Sequence, residues 1–140
     1  KNMSYSTIDE TGNKYTIFAS QGRIEDTQPN IINMQKVRAE IEVYNYDIIY
    51  IFSDNAIFDN INFNSKFTNN VKLVYLDHKL KGEKLDLNLD TKLITLSDKV
   101  IYVDKKTKLE ADYIILDLIS KDSEISMYDK RKKIKIFQLN

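Results

Sequence analysis

Apolar and charged residues alternate most sharply in Val37-Arg38-Ala39-Glu40-Ile41-Glu42-Val43, where every odd position is apolar and every even one charged. A strand sends successive side chains to opposite faces, so this spacing predicts one dry and one wet face. The same period returns in Leu85-Asp86-Leu87-Asn88-Leu89-Asp90 and, more briefly, in Lys133-Ile134-Lys135-Ile136. Residues 47–52, 71–76, 100–103 and 113–119 are continuous β-branched or aromatic runs of strand length, which read as strands without showing which face is buried. Turn chemistry falls at 11–13, 28–30, 60–65, 81–83, 104–108 and 120–123. No long run carries helical spacing behind a cap. The pattern predicts an antiparallel all-β fold with little or no helix.

Internal repetition sharpens that expectation. Ile51 to Asp59 aligns with Leu109 to Asp117 as apolar, any, small, Asp, any, an apolar run and Asp. Phe67-Thr68-Asn69-Asn70-Val71 aligns with Leu96-Ser97-Asp98-Lys99-Val100, each read as polar residues followed by a Val that opens a strand. Val71 and Val100 stand 29 residues apart. A unit of about thirty residues used several times fits a solenoid-like stack or an elongated jelly roll. Recurrence of Asp54 and Asp112 argues for a structural position rather than catalysis.

Composition narrows the function classes. The 140 residues suit a single domain, with 1–13 expected as a poorly ordered lead-in. Twenty-one basic residues balance twenty-one acidic ones, leaving no overall positive field to draw the chain onto nucleic acid. The absence of Cys excludes disulfides and thiolate chemistry, and a single His leaves little room for triads or His-rich metal sites. His78 lies in a polar stretch and is expected to be exposed. Asp86, Asn88 and Asp90 alternate with Leu along a strand, which is no calcium loop. No spacing selects a carboxylate pair, a phosphate loop or a nucleophile elbow, so no catalytic residue, cofactor or metal is expected. Lys130-Arg131-Lys132-Lys133 reads as a solvated cluster beside a strand edge. Only three Gly and one Pro are present, so Asn and Asp are expected to make the turns.

Taken in order, Tyr15-Thr16-Ile17-Phe18-Ala19-Ser20, Val37-x-Ala39, Ser53-Asp54-Asn55-Ala56, Phe67-x-x-Asn70-Val71, Leu85-x-Leu87, Val100-x-Tyr102, Leu109-x-Ala111-Asp112 and Ile125-x-Met127 resemble the periplasmic domain of LptC. The strand grammar is shared with LptA and the amino-terminal domain of LptD; the Ser-Asp-x-Ala block and Ile-x-Met favour LptC. The resemblance spans about residues 14 to 137. It implies a curved, elongated antiparallel jelly roll with open edges whose interior holds the acyl chains of lipopolysaccharide. It further implies a non-catalytic periplasmic link between an inner-membrane LptB/LptF/LptG transporter and an LptA-like protein, with edge-to-edge homo-oligomers possible. The family's membrane helix is not among these residues, so an inner-membrane anchor is expected upstream if the role is LptC's. A soluble LptA-like bridge protein is the alternative.

On this reading Val37, Ala39, Ile41, Val43, Leu85, Leu87 and Leu89 line the interior, joined by Val71, Leu73, Tyr75, Val100 and Tyr102. The opposing reading for each is plain core packing. Following the family, the last strand, with Lys133, Ile134, Lys135, Ile136 and Phe137, is the edge offered to the LptA-like partner. The first strand, with Tyr15, Ile17 and Ala19, faces the transporter. A closed barrel carrying a small apolar ligand is the competing class, and it would present no edges.

Overall fold

The computed structural model describes residues 2–126 and 133–138, the side chains of 124–126 and 133–138 excepted. Ten strands form one antiparallel meander in which each pairs with its sequence neighbours: β1 (Met3–Ile8), β2 (Lys14–Ile24), β3 (Ile31–Glu42), β4 (Ile48–Asp59), β5 (Ser65–Tyr75), β6 (His78–Asn88), β7 (Leu93–Val103), β8 (Lys108–Asp117), β9 (Asp122–Ser126) and β10 (Lys133–Gln138). The described residues contain no helix. Among the described residues β1 and β10 end the order without pairing to each other, so the sheet is open at both edges and does not close into a barrel.

β2 to β8 run to 10–12 residues, longer than the sequence pattern suggests. The reason is a bend in the middle of each strand that leaves the ladder intact on both sides. Asn69 and Asn70 in β5, and Asp98 and Lys99 in β7, take paired left-handed conformations, as Lys36 does singly in β3. Registers shift across Phe52/Asn55, Thr68/Val71, Lys81/Lys84 and Ser97/Val100, the signature of bulges that bend a sheet. Asn and Asp bear a positive φ more readily than other L residues. Their side chains also stitch the bend, Asn55 Nδ2 donating to Asn69 Oδ1 at 2.8 Å and Asn70 Nδ2 to Asp54 Oδ2 at 2.7 Å.

The bend corrects two sequence readings and agrees with a third. Val71 and Val100 do not open strands; each resumes the inner face just past the bend. Lys81-Gly82-Glu83 is no turn but the corner of β6, where a Cβ on Gly82 would sit 2.9 Å from Leu96 Cδ1 and 3.2 Å from the Ser97 carbonyl oxygen. Asp54 and Asp112 are corner residues, in keeping with a structural role.

A strand lies within the lead-in expected at 1–13. Residues 3–8 form β1 because Met3 and Tyr5 add apolar side chains to the inner face, and all six pair with β2. Tyr15, Ile17 and Ala19 therefore lie in a strand covered on both sides, and β1 is the edge.

Turns share one device at the opposite ends of the strands. Asp59, Asn88 and Asp117, spaced 29 residues apart, each accept two backbone N–H groups of the following turn through Oδ1. Asp9 and Asp104 do the same in the turns at the other end. The repeat is thus real, and its unit is a two-stranded hairpin.

Candidate functional site

Folding along the bends lays the half of the sheet next to one row of turns against the half next to the other. Tyr15, Ile17, Ala39 and Ile41 from one side meet Phe58, Phe67 and Leu87 from the other around a residual cavity of about 10 Å³. Tyr5 of β1 packs on Phe58 of β4 with ring centroids 5.1 Å apart, and Phe63 meets Phe58 edge-on at 4.7 Å. One continuous apolar interior results, running across the strands.

Every interior residue named from the sequence lies on this inner face. Val37, Ala39, Ile41, Val43, Val71, Leu73, Tyr75, Leu85, Leu87, Val100 and Tyr102 are buried. Leu89 stands just past the end of β6, half-buried against them. They share the interior with Ile32, Met34, Phe58, Phe67, Ile94, Leu96 and Ile114, which the alternation did not assign. The missed residues sit on the far side of each bend, where the period slips. In β3 the buried positions step from Met34 to Val37, and in β6 from Gly82 to Leu85, an interval of three that a strict two-residue pattern excludes.

In this conformation the interior is filled by its own side chains. A larger depression, about 450 Å³, lies outside the core along the bend and is lined by polar groups such as Gln21, Arg23, Asn33, Gln35 and Asn55. Met34, Ala56 and Ile57 also border it.

The two rows of turns meet opposite the bends and form lips over the interior. Residues 9–13 and 43–47 belong to the first lip; 60–64, 89–92 and 118–121 to the second. Lys92 is 5% exposed and reaches Glu10 Oε1 at 3.0 Å and Asp9 Oδ2 at 3.6 Å, while Nζ donates to the Leu89 carbonyl at 2.8 Å. Burial alone would lower the Lys92 pKa, but the two carboxylates hold it above the ordinary lysine range. Asp9 also accepts from Thr11 Oγ1 and Tyr15 OH, each at 2.6 Å, and from the Asn13 amide at 3.1 Å. Burial pushes Asp9 upward, yet these donors outweigh it and leave the carboxyl below its ordinary 3.8. The Tyr15 phenol is pushed up, first by burial and then by Asp9.

A carboxylate whose pKa is lower folded than unfolded stabilises the fold above the unfolded value and ceases to do so as pH falls through the folded one. Stability is therefore expected to decline as pH drops below 3.8, with Asp9, Asp59 and Asp104 all depressed. Urea titrations of Asp9→Asn against the parent should show a shallower decline in the variant over that range; parallel curves would refute the contribution.

His78 is not an exposed turn residue. Its ring stacks between Tyr75 and Tyr102, with Nδ1 2.6 Å from the Tyr102 hydroxyl, which in turn donates to Asp104 at 2.7 Å. The pull of Tyr75 and Tyr102 across the strand end explains the difference. Among the described residues no group of three His, Asp or Glu is placed to hold a metal ion.

At the edges, the backbone of β10 pairs with β9 through Lys133, Ile134, Lys135 and Gln138. The side chains of Lys133 to Phe137, the Lys130–Lys132 cluster and Met127 lie outside the described residues.

No family model matches this sequence, and no curated protein does. Among solved structures, the chain is similar to LptH of Pseudomonas aeruginosa, the LptA-homologous periplasmic component of the lipopolysaccharide transport device. The likeness has a TM-score of 0.63 at 9% identity and covers 89% of this chain and 94% of that one. The chain thus shares the fold of LptH at a sequence identity of only 9%.

Proposed function

We propose that this chain is a non-catalytic, periplasmic lipopolysaccharide-binding bridge component, which receives lipopolysaccharide from an inner-membrane extractor and passes it to a neighbouring jelly roll. The observation that carries the reading is an unbroken apolar interior running across an open-edged sheet. Each acyl CH₂ buried there contributes about 0.8 kcal/mol, so a chain is held by area alone, without polar recognition. Val37, Ala39, Ile41, Val43, Val71, Leu73, Tyr75, Leu85, Leu87, Leu89, Val100 and Tyr102 would contact it. An LptA-like role without a membrane anchor is the second reading, favoured by the similarity to an LptA homologue.

The open edges serve the same job. An unpaired strand offers backbone donors and acceptors to a neighbour's strand, which gives head-to-tail growth where β1 of one jelly roll meets the β10 edge of the next. β1 takes the transporter-facing role that the sequence placed on Tyr15, Ile17 and Ala19, and β10 the LptA-facing role. Light scattering should then show assembly that grows with protein concentration. A proline on β1 removes one backbone N–H, so one of Ser4→Pro and Thr7→Pro blocks an outward donor and should abolish assembly while the fold is kept. A strict monomer at every concentration would contradict the edge reading, and lipopolysaccharide binding by that monomer would separate it from the interior reading.

A further inference from the structure

We infer that an acyl ligand reaches the interior sideways, between the two rows of turns, and that Lys92 is the pin holding those lips shut. This rests on the lipid-binding reading above.

Phe63, Lys92 and Lys121 occupy the same position in three stacked turns 29 residues apart, and all three are left-handed, with φ of 64°, 60° and 67°. The repeated geometry sends each side chain toward the opposite lip or the core beneath it. Phe63 packs on Phe58 in the core. Lys92 pairs with Asp9 and Glu10 across the slit. The Lys121 ammonium lies 5.7 Å from the Tyr46 ring centroid of the first lip. A non-glycine residue pays for a positive φ, and Lys92 offsets part of that cost locally, through its bond from Nζ to the Leu89 carbonyl. Its contacts with Asp9 and Glu10 add stabilisation that exists only while the lips are together.

The interior itself requires an opening step. Its residual cavity of about 10 Å³ is too small for an acyl chain, and Ile41, Leu73, Phe58, Phe67 and Ile94 are all 0% exposed. The two halves are joined covalently only through the bends, so parting the lips opens the sheet as a hinge without breaking any ladder. Among the described residues, the polar contacts that bridge the lips are those of Lys92 with Asp9 and Glu10, together with the Lys121–Tyr46 contact. Glu10 is 77% exposed, so the outermost contact of the pin faces solvent. A ligand arriving from outside meets it first.

The test uses the folded protein and fluorescent lipopolysaccharide. A water-soluble carbodiimide activates the exposed Glu10 carboxylate, and the Lys92 amine displaces the urea to leave an amide, with net loss of water. Peptide mapping identifies the Glu10–Lys92 bond, and Lys92→Met treated identically controls for every other coupling. Uptake should fall by about tenfold or more in the stapled protein and rise by about threefold in untreated Lys92→Met, with Glu10→Gln intermediate, because the minor open state sets the rate. Equal uptake in stapled and unstapled protein would overturn the lateral route and point to the open sheet ends instead. If no sample takes up lipopolysaccharide, the functional reading fails, and hydrogen exchange still judges the pin. Amides of residues 9–13 and 89–92 should exchange faster in Lys92→Met, and unchanged exchange would refute it.

Discussion

Phe58→Ala is expected to lower the unfolding free energy by about 3–5 kcal/mol, a large share of the 5–15 kcal/mol typical of a domain. Phe58 has 0% exposure and stands where the two halves of the folded sheet meet, between Tyr5 of the edge strand and Phe63 of the second lip. Removing the ring leaves a cavity that neither neighbour can fill without leaving its own strand or turn. Urea unfolding should show a lower midpoint with an unchanged slope, since the fold is kept and only its stability changes. A cost below about 1 kcal/mol would mean that the two halves are not packed through this ring.

The second large effect is expected at the corner. Changing Asn69 and Asn70 together to Val places two β-branched residues in left-handed backbone, at about 1–2 kcal/mol each, or about 2–4 kcal/mol in all. The same pair changed to Gly loses the same side-chain hydrogen bonds to Asn55 and Asp54, yet meets no Cβ penalty and should stay within about 1 kcal/mol of the parent. The contrast isolates backbone strain from hydrogen bonding. Thermal unfolding of the two variants measures it, and equal losses in both would contradict the bend as described.

That bend also marks the limit of what the chain discloses to a reader of its pattern. Val37 to Val43 and Leu85 to Leu89 were legible because each lies wholly on one side of a corner, where the two-residue period holds. Met34, Ala56 and Ile114 were not, because a bulge shifts the phase by one and puts a residue that ought to face water into the core. The motifs themselves were visible: Asn69-Asn70 and Asp98-Lys99 stood out as a repeat, but as the start of a strand rather than its middle. Only φ distinguishes the two, and φ is not written in residue type when Asn and Asp serve both turns and corners. β1 was hidden for a different reason. Met3, Tyr5 and Thr7 alternate, but among polar neighbours their apolar character is too thin to read without the face they complete.

Lys92 shows what pattern reading misses altogether. In a lysine-rich chain one more lysine in a polar turn carries no signal, and its partners Asp9 and Glu10 lie more than eighty residues away in sequence. Its burial follows from the fold closing on itself, a long-range consequence of bends that are themselves local.

The account's central claim is that the apolar interior is a lipid site and not only a core. Photocrosslinking tests it most directly, with a benzophenone amino acid placed in turn at Tyr5 and Leu89, which face the interior and are half-buried, and at Ser6, which faces outward on the same strand as Tyr5. With purified lipopolysaccharide and folded protein, the account predicts lipid adducts at Tyr5 and Leu89 and none at Ser6. Equal labelling at all three positions, or none at either inner position in protein shown to be folded, would contradict it.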